Sequence, residues 1–357
     1  MRAAAALVGI CFLALLMWTQ RDRILTGWND FSQLYVGANL SGSGHLYDSS
    51  ANIEQSKQTI GVTMEGVLYS RLPFYAFLLR PLAALPYMVA FALFAALNLG
   101  IFVWFLFAFR SDLPDLPVLG AFSLPLAFAL ANGQDTPALT GILALAYLLM
   151  RRGPDVVAGA VLSLCAIKFH MFLLLPFVLL IHRRWQVLKG GLIGGLILLA
   201  ISFLSEGVRW PGEYARLLLS SELDPCISCM PNVRGLAEEN VPIFVAGSVA
   251  VLVVFALIAR VASFDVLFAT SVLAGFLLSG HAFLHDAVIL LFPLAVLIPA
   301  LAFKPLHAAF TIAVSPLPYL LMLAGRPYSL IGPLMFLLVL SLIYLSVQKS
   351  SASERRT

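Results

Sequence analysis

Charge is scarce in this chain of 357 residues: 11% are Asp, Glu, Lys or Arg, whereas 61% are hydrophobic. So few charges cannot cover a water-facing surface of that size, which excludes a soluble globular protein. Cysteine is also scarce, with four in all, so neither a disulfide-rich scaffold nor a cysteine-rich metal centre is available. Cys11 and Cys165 lie in apolar runs and read as packing residues, while Cys226 and Cys229 form one Cys-x-x-Cys in a polar loop. That pair falls short of the four ligands of a structural zinc site, leaving a local disulfide or two free thiols. The 22 basic residues exceed the 18 acidic ones by only four and are dispersed in short clusters, so no nucleic-acid partner is expected. Sustained period-2 alternation is missing, which excludes the strands of an outer-membrane barrel. The first apolar run, Ala3 to Trp18, ends in Met17-Trp18-Thr19-Gln20-Arg21-Asp22 without a small-residue cleavage site. It reads as a retained first helix rather than a signal peptide.

What remains is a succession of runs rich in Leu, Ala, Phe and Val, which specify an all-α polytopic membrane protein. With about twenty apolar residues per crossing, and shorter spans allowed where helices tilt or break, about twelve membrane segments are expected. They fall near residues 3–19, 86–109, 116–131, 137–150, 155–167, 169–182, 187–205, 241–260, 264–280, 286–303, 306–323 and 329–347. The chain 1–357 then forms one transmembrane domain. Arg110, Arg151, Arg152, His182-Arg183-Arg184, Lys189, Arg260, Lys304 and the tail with Lys349, Arg355 and Arg356 gather on one face. An excess of basic residues marks the cytoplasmic side. Only Arg21 and Arg23, close to the first helix, oppose that orientation. The long loops, about 20–85 and 206–240, are therefore placed on the extracytoplasmic side of a bacterial inner membrane, and residues 34–40 and 53–60 in the first loop are expected to form amphipathic surface helices. Gly190, Gly191, Gly194 and Gly195 mark a helix suited to close packing.

Against so apolar a background, polar residues at membrane depth point to function, because burying an ionised group costs several kcal/mol unless it has a partner. Asp30, within Trp28-Asn29-Asp30-Phe31-Ser32-Gln33-Leu34-Tyr35, is the candidate general base of a sugar transferase, with Tyr35 beside it as a substrate contact. Lys168 ends a helix of about thirteen residues, or about 20 Å, too short for a hydrocarbon core of roughly 30 Å. Broken helices at that depth line cavities, and a phosphate is a natural partner for such a lysine. Arg71 and Asn232 are expected at the substrate, and Gln134 on a sugar hydroxyl, since a neutral amide is cheaper to desolvate than a charge. Asp135 or Thr136, before Pro137 at the first helical position, reads as a helix N-cap. His281 and His285, four residues apart on one helix face next to Asp286, and Arg234 complete the expected phosphate-binding set. Two histidines and one aspartate fall short of a metal site, so no metal and no cofactor is expected.

Taken in order, Trp28-Asn29-Asp30-Phe31, Tyr69 to Pro73, Asn132-Gly133-Gln134, Ala158-Gly159 through Lys168 to Arg183-Arg184-Trp185, Asn232 to Gly235 and Ser279 to Asp286 resemble glycosyltransferase family 87 of the GT-C superfamily. The resemblance spans most of the chain. It implies an inverting transferase that moves a hexose, mannose by preference, from a polyprenyl-phosphate donor to a glycolipid or glycan acceptor, with Asp30 as base. Two departures stand out: the Lys-Pro that commonly ends the family's short helix is here Lys168-Phe169, and its Ser-Pro before the histidine region is Ser279-Gly280. A transporter or flippase of a lipid-linked sugar is the alternative, although no internal repeat of the kind many transporters carry is present.

Overall fold

The computed structural model describes residues 2–61, 68–220, 223 and 226–354; Arg355 and Arg356, assigned above to the basic tail, lie outside them. All regular structure among these residues is helical. Five helices are long and apolar enough to cross a membrane: Arg2–Thr19, Tyr87–Ala108, Trp185–Glu206, Val241–Ala259 and Tyr328–Ser350. At 1.5 Å per residue these rise about 27 to 35 Å, the thickness of a hydrocarbon core. Lys304–Val314 and Pro316–Met322, bent by 50°, make a sixth when taken together.

The remaining expected segments are shorter helices, and their breaks have local causes. Residues 116–131 divide into Leu116–Ala121 and Leu124–Ala131, the second started by Pro125 and by Ser123, whose Oγ accepts the Leu126 N–H at 3.3 Å. The Ser315 before Pro316 is extended at φ −70°, ψ 164°, as the proline ring requires. Asp155–Leu162 tightens into a 3-10 stretch, Ser163–Met171, where Lys168 leaves helical geometry at φ −130°, ψ 53°. The helix thus breaks at Lys168 although Phe169 stands where a proline was expected.

The first long loop folds inward. Helices occupy Phe31–Leu40 and Ser49–Thr59, but eight of the ten residues of Phe31–Leu40 are buried, Ser32 with Leu34. That helix has no watery face, because it packs beneath Pro73–Ala83 and against Ser49–Thr59. It therefore differs from the surface-lying amphipathic helix expected there. Phe31, Tyr35, Tyr69, Phe74, Tyr87, Phe91 and Phe94 form an aromatic cluster that fixes the loop to the bundle. The main core, around Phe109, Tyr147, Phe268, Phe276 and Phe292, is separate. Ile167 belongs to the first cluster and Cys165 and Met171 to the second, so Lys168 lies on the seam between two apolar bodies.

The glycine-rich helix packs as expected at two of its four glycines. A Cβ on Gly190 would stand 1.9 Å from the Val156 carbonyl oxygen, and one on Gly194 would stand 2.3 Å from Ser163 Oγ. Gly159, across the contact, would meet Val187 O at 1.9 Å. Gly195 has open space around it. Gly190→Ala must push two backbones apart and is expected to cost about 1–3 kcal/mol, read as a lower thermal unfolding temperature in detergent, whereas Gly195→Ala, in open space on the same helix, does not lower it.

Candidate active site

Asp30 stands at the start of Phe31–Leu40, yet its side chain caps no backbone N–H of that helix. Its neighbour Asn29 does the local work: Asn29 Oδ1 accepts the Phe31 N–H at 3.1 Å and the Tyr87 hydroxyl at 2.9 Å. The Asp30 carboxylate is left to face inward, where its Oδ2 accepts Gln134 Nε2–H at 2.7 Å. Gln134 reaches it from the turn Asn132-Gly133-Gln134, in which Gly133 adopts φ +62° and a Cβ would fall 2.4 Å from Phe31 Cβ. Glycine alone fits both conditions. The Phe31 N–H also points to Asn132 O at 3.0 Å, joining the two loops through the main chain.

Lys168, 2% exposed, donates to Gln134 Oε1 and Thr136 Oγ1, each at 2.8 Å, and to Asp286 Oδ1. An ammonium has three hydrogens, and all three are engaged. Its Nζ also lies 3.1 Å from Asp135 Oδ1, and Asp135 Oδ2 lies 3.6 Å from Arg71 Nε. Thr136 Oγ1 donates to Asp286 Oδ1 at 2.6 Å, and Asp286 Oδ2 accepts the Phe283 N–H at 2.9 Å. Two cations and two carboxylates thus form one buried cluster, each charge compensated by the next. Counted formally with neutral imidazoles, Asp30 brings a third carboxylate, and Arg23 at the rim brings a third cation.

Arg71, Lys168 and Asp286 of this cluster line a cavity of about 510 Å³ together with Asp30, Gln134, His281 and His285. Phe128, Met322 and Leu323 contribute an apolar side. Six of the nine expected site residues are therefore in one chamber. The two histidines do not share a helix face: His281 lies before any helix, its N–H donated to Ser279 Oγ at 3.2 Å, and His285 lies in the first turn of the 3-10 stretch Leu284–Leu290. Burial first, and then the Arg71 cation, push the His281 imidazole down to about 4, so it offers a neutral N–H or a lone pair rather than a charge. Gln134, expected on a sugar hydroxyl, has its amide oxygen taken by Lys168 and by Arg71 Nη2 at 3.4 Å.

Three expected contacts lie outside the chamber. The Tyr35 hydroxyl donates to Leu85 O at 2.7 Å. Asn232 caps Val233–Ala237 by accepting the Gly235 N–H at 3.1 Å, and its Nδ2 donates to Ser279 O at 2.8 Å, so it holds the histidine turn without facing the cavity. Arg234 sits over the Phe244 ring, 5.7 Å from its centroid. Conversely, Asp135 is not the cap its sequence suggested, since its side chain makes no such bond. The one available signal was a membrane-depth lysine with no assigned counter-charge. Cys226 and Cys229 are joined in a disulfide at the chamber's edge, which settles the alternatives left by the sequence.

The model of glycosyltransferase family 87 matches residues 72–284, more than half of the chain. The match takes in Gln134, Lys168 and His281, begins one residue after Arg71 and ends one before His285. No curated protein and no solved structure matches the chain.

Proposed function

The chain belongs to glycosyltransferase family 87, a GT-C-type family of membrane glycosyltransferases, and on that premise we propose that it moves a hexose, mannose by preference, from a polyprenyl-phosphate donor to a glycolipid or glycan acceptor with inversion. The observation that carries this reading is the presence of Asp30, Arg71, Lys168, His281 and His285 around one chamber. Asp30 removes the proton of an acceptor hydroxyl as its oxygen attacks the anomeric carbon. The bond between that carbon and the phosphate oxygen breaks, and its electron pair leaves with the lipid phosphate. Arg71 and the N–H groups of His281 and His285 receive the phosphate oxygens, while Lys168 holds the floor on which they stand. One carboxylate suffices, since a phosphate leaves without the strong general acid an ordinary glycoside requires.

The apolar side of the chamber, with Phe128, Met322 and Leu323, suits the prenyl chain. In this reading the shorter helices are broken or re-entrant segments, bringing the membrane segments to about twelve across a single domain of residues 1–357. Loops 20–85 and 206–240 then cover a chamber open to the extracytoplasmic side of a bacterial inner membrane. Purified protein in lipid nanodiscs, given a panel of polyprenyl-phosphate sugars and a membrane glycolipid extract, is expected to form a glycoside whose anomeric configuration by NMR is opposite to that of the donor. Retained configuration overturns the single displacement. Movement of intact lipid-linked sugar across the bilayer without transfer from any donor favours the flippase instead.

A further inference from the structure

The amide of Gln134 sits between opposite charges. Its partners fix which end is which, because Lys168 and Arg71 can only donate and an ionised Asp30 can only accept. The oxygen therefore faces the two cations, 2.8 Å from Lys168 Nζ and 3.4 Å from Arg71 Nη2, and the nitrogen faces Asp30 Oδ2 at 2.7 Å. Both lone pairs of the oxygen are then occupied, and the side chain is 5% exposed. A group so engaged has little left to offer a sugar. Cations on the oxygen polarise the amide and strengthen the hydrogen bond that its N–H gives to a carboxylate.

We propose that Gln134 is the positioning residue of the base: anchored by Lys168 and Arg71, it holds the Asp30 carboxylate in one rotamer, leaving Oδ1 to take the acceptor's proton. This rests on Asp30 being the base. The geometry supplies a reason for the buried cluster beneath the chamber, since Lys168 then acts on the base through one intervening amide while its charge is balanced by Asp135 and Asp286. It also accounts for the turn at Gly133, which delivers Gln134 to Asp30.

Gln134→Glu separates this role from a structural one, because it sets two carboxylates at the spacing where they share a proton. Infrared difference spectra of the variant against the wild type at neutral pH are expected to show a protonated-carboxyl band that disappears in Gln134→Glu/Asp30→Asn. Lack of such a band overturns the proposal. With polyprenyl-phosphate mannose as donor, the acid limb of the kcat/KM profile is expected to rise by about one pH unit or more. Should the carboxylate variant fail to fold, Gln134→Met keeps the volume and adds no charge. Its kcat is expected to fall about 10- to 100-fold with donor KM within about twofold of wild type, whereas a raised KM at unchanged kcat assigns Gln134 to substrate and overturns the proposal. Full activity in Asp30→Asn removes the base and this role together; an inactive Asp30→Asn with an unmoved Gln134→Glu profile overturns this role alone.

Discussion

Asp30→Asn is expected to lower turnover by about a thousandfold, within the range of about 10²–10⁴ that a positioned general base contributes. The substitution keeps size and shape, and the new amide oxygen can still accept the Gln134 N–H that now reaches Oδ2 at 2.7 Å. What disappears is the capacity to take a proton. Because Arg71, His281 and His285 remain on the chamber wall, affinity for a polyprenyl-phosphate sugar is expected to stay within about threefold of wild type. Single-turnover transfer measured beside equilibrium donor binding checks both halves. Unchanged turnover would place the base elsewhere.

Lys168→Met is expected to act on stability first. The ammonium lies against Asp135 Oδ1 at 3.1 Å and bonds Asp286 Oδ1, and both carboxylates are 2% exposed. Removing one partner of a buried ion pair leaves an uncompensated charge, a loss of about 3–5 kcal/mol. Arg71 stays near Asp135, so the deficit falls chiefly on Asp286. A double variant, Lys168→Met with Asp286→Asn, is therefore expected to unfold at a higher temperature than Lys168→Met alone. If the second substitution lowered the unfolding temperature further, the two residues would not be compensating each other.

The helical class and the membrane setting follow from composition alone, because nothing else accommodates so many apolar runs with so few charges. Asp30 and Lys168 were legible for a related reason: each is a charge where charge is costly. The counter-ions of Lys168 were harder to see. Asp135 before Thr136-Pro137 has every local feature of a cap, and only the distance across the fold to Lys168 and Arg71 gives it another task. Asn232 and Arg234 stand apart from the chamber, since an amide and a guanidinium suit a sugar phosphate in the abstract, but here Asn232 caps a helix end and Arg234 lies over a Phe ring. Tyr35 shares a helix with the residues next to Asp30 yet turns its hydroxyl to Leu85. Residue chemistry identifies what a group can bind; which groups remain unsatisfied is decided by tertiary contacts. The number of full-length crossings shows the same limit, as proline and serine interrupt runs that hydropathy alone joins.

The hydrogen bond from the Phe31 N–H to Asn132 O involves no side chain, and so no amino-acid exchange at either position other than proline at 31 can delete it. Side chains around the wall are free to be swapped, resizing the chamber, while Asp30 keeps its place against the turn that carries Gln134. Retuning of donor choice in such a transferase would then proceed by repainting the walls of a vault whose doorframe is cast in peptide.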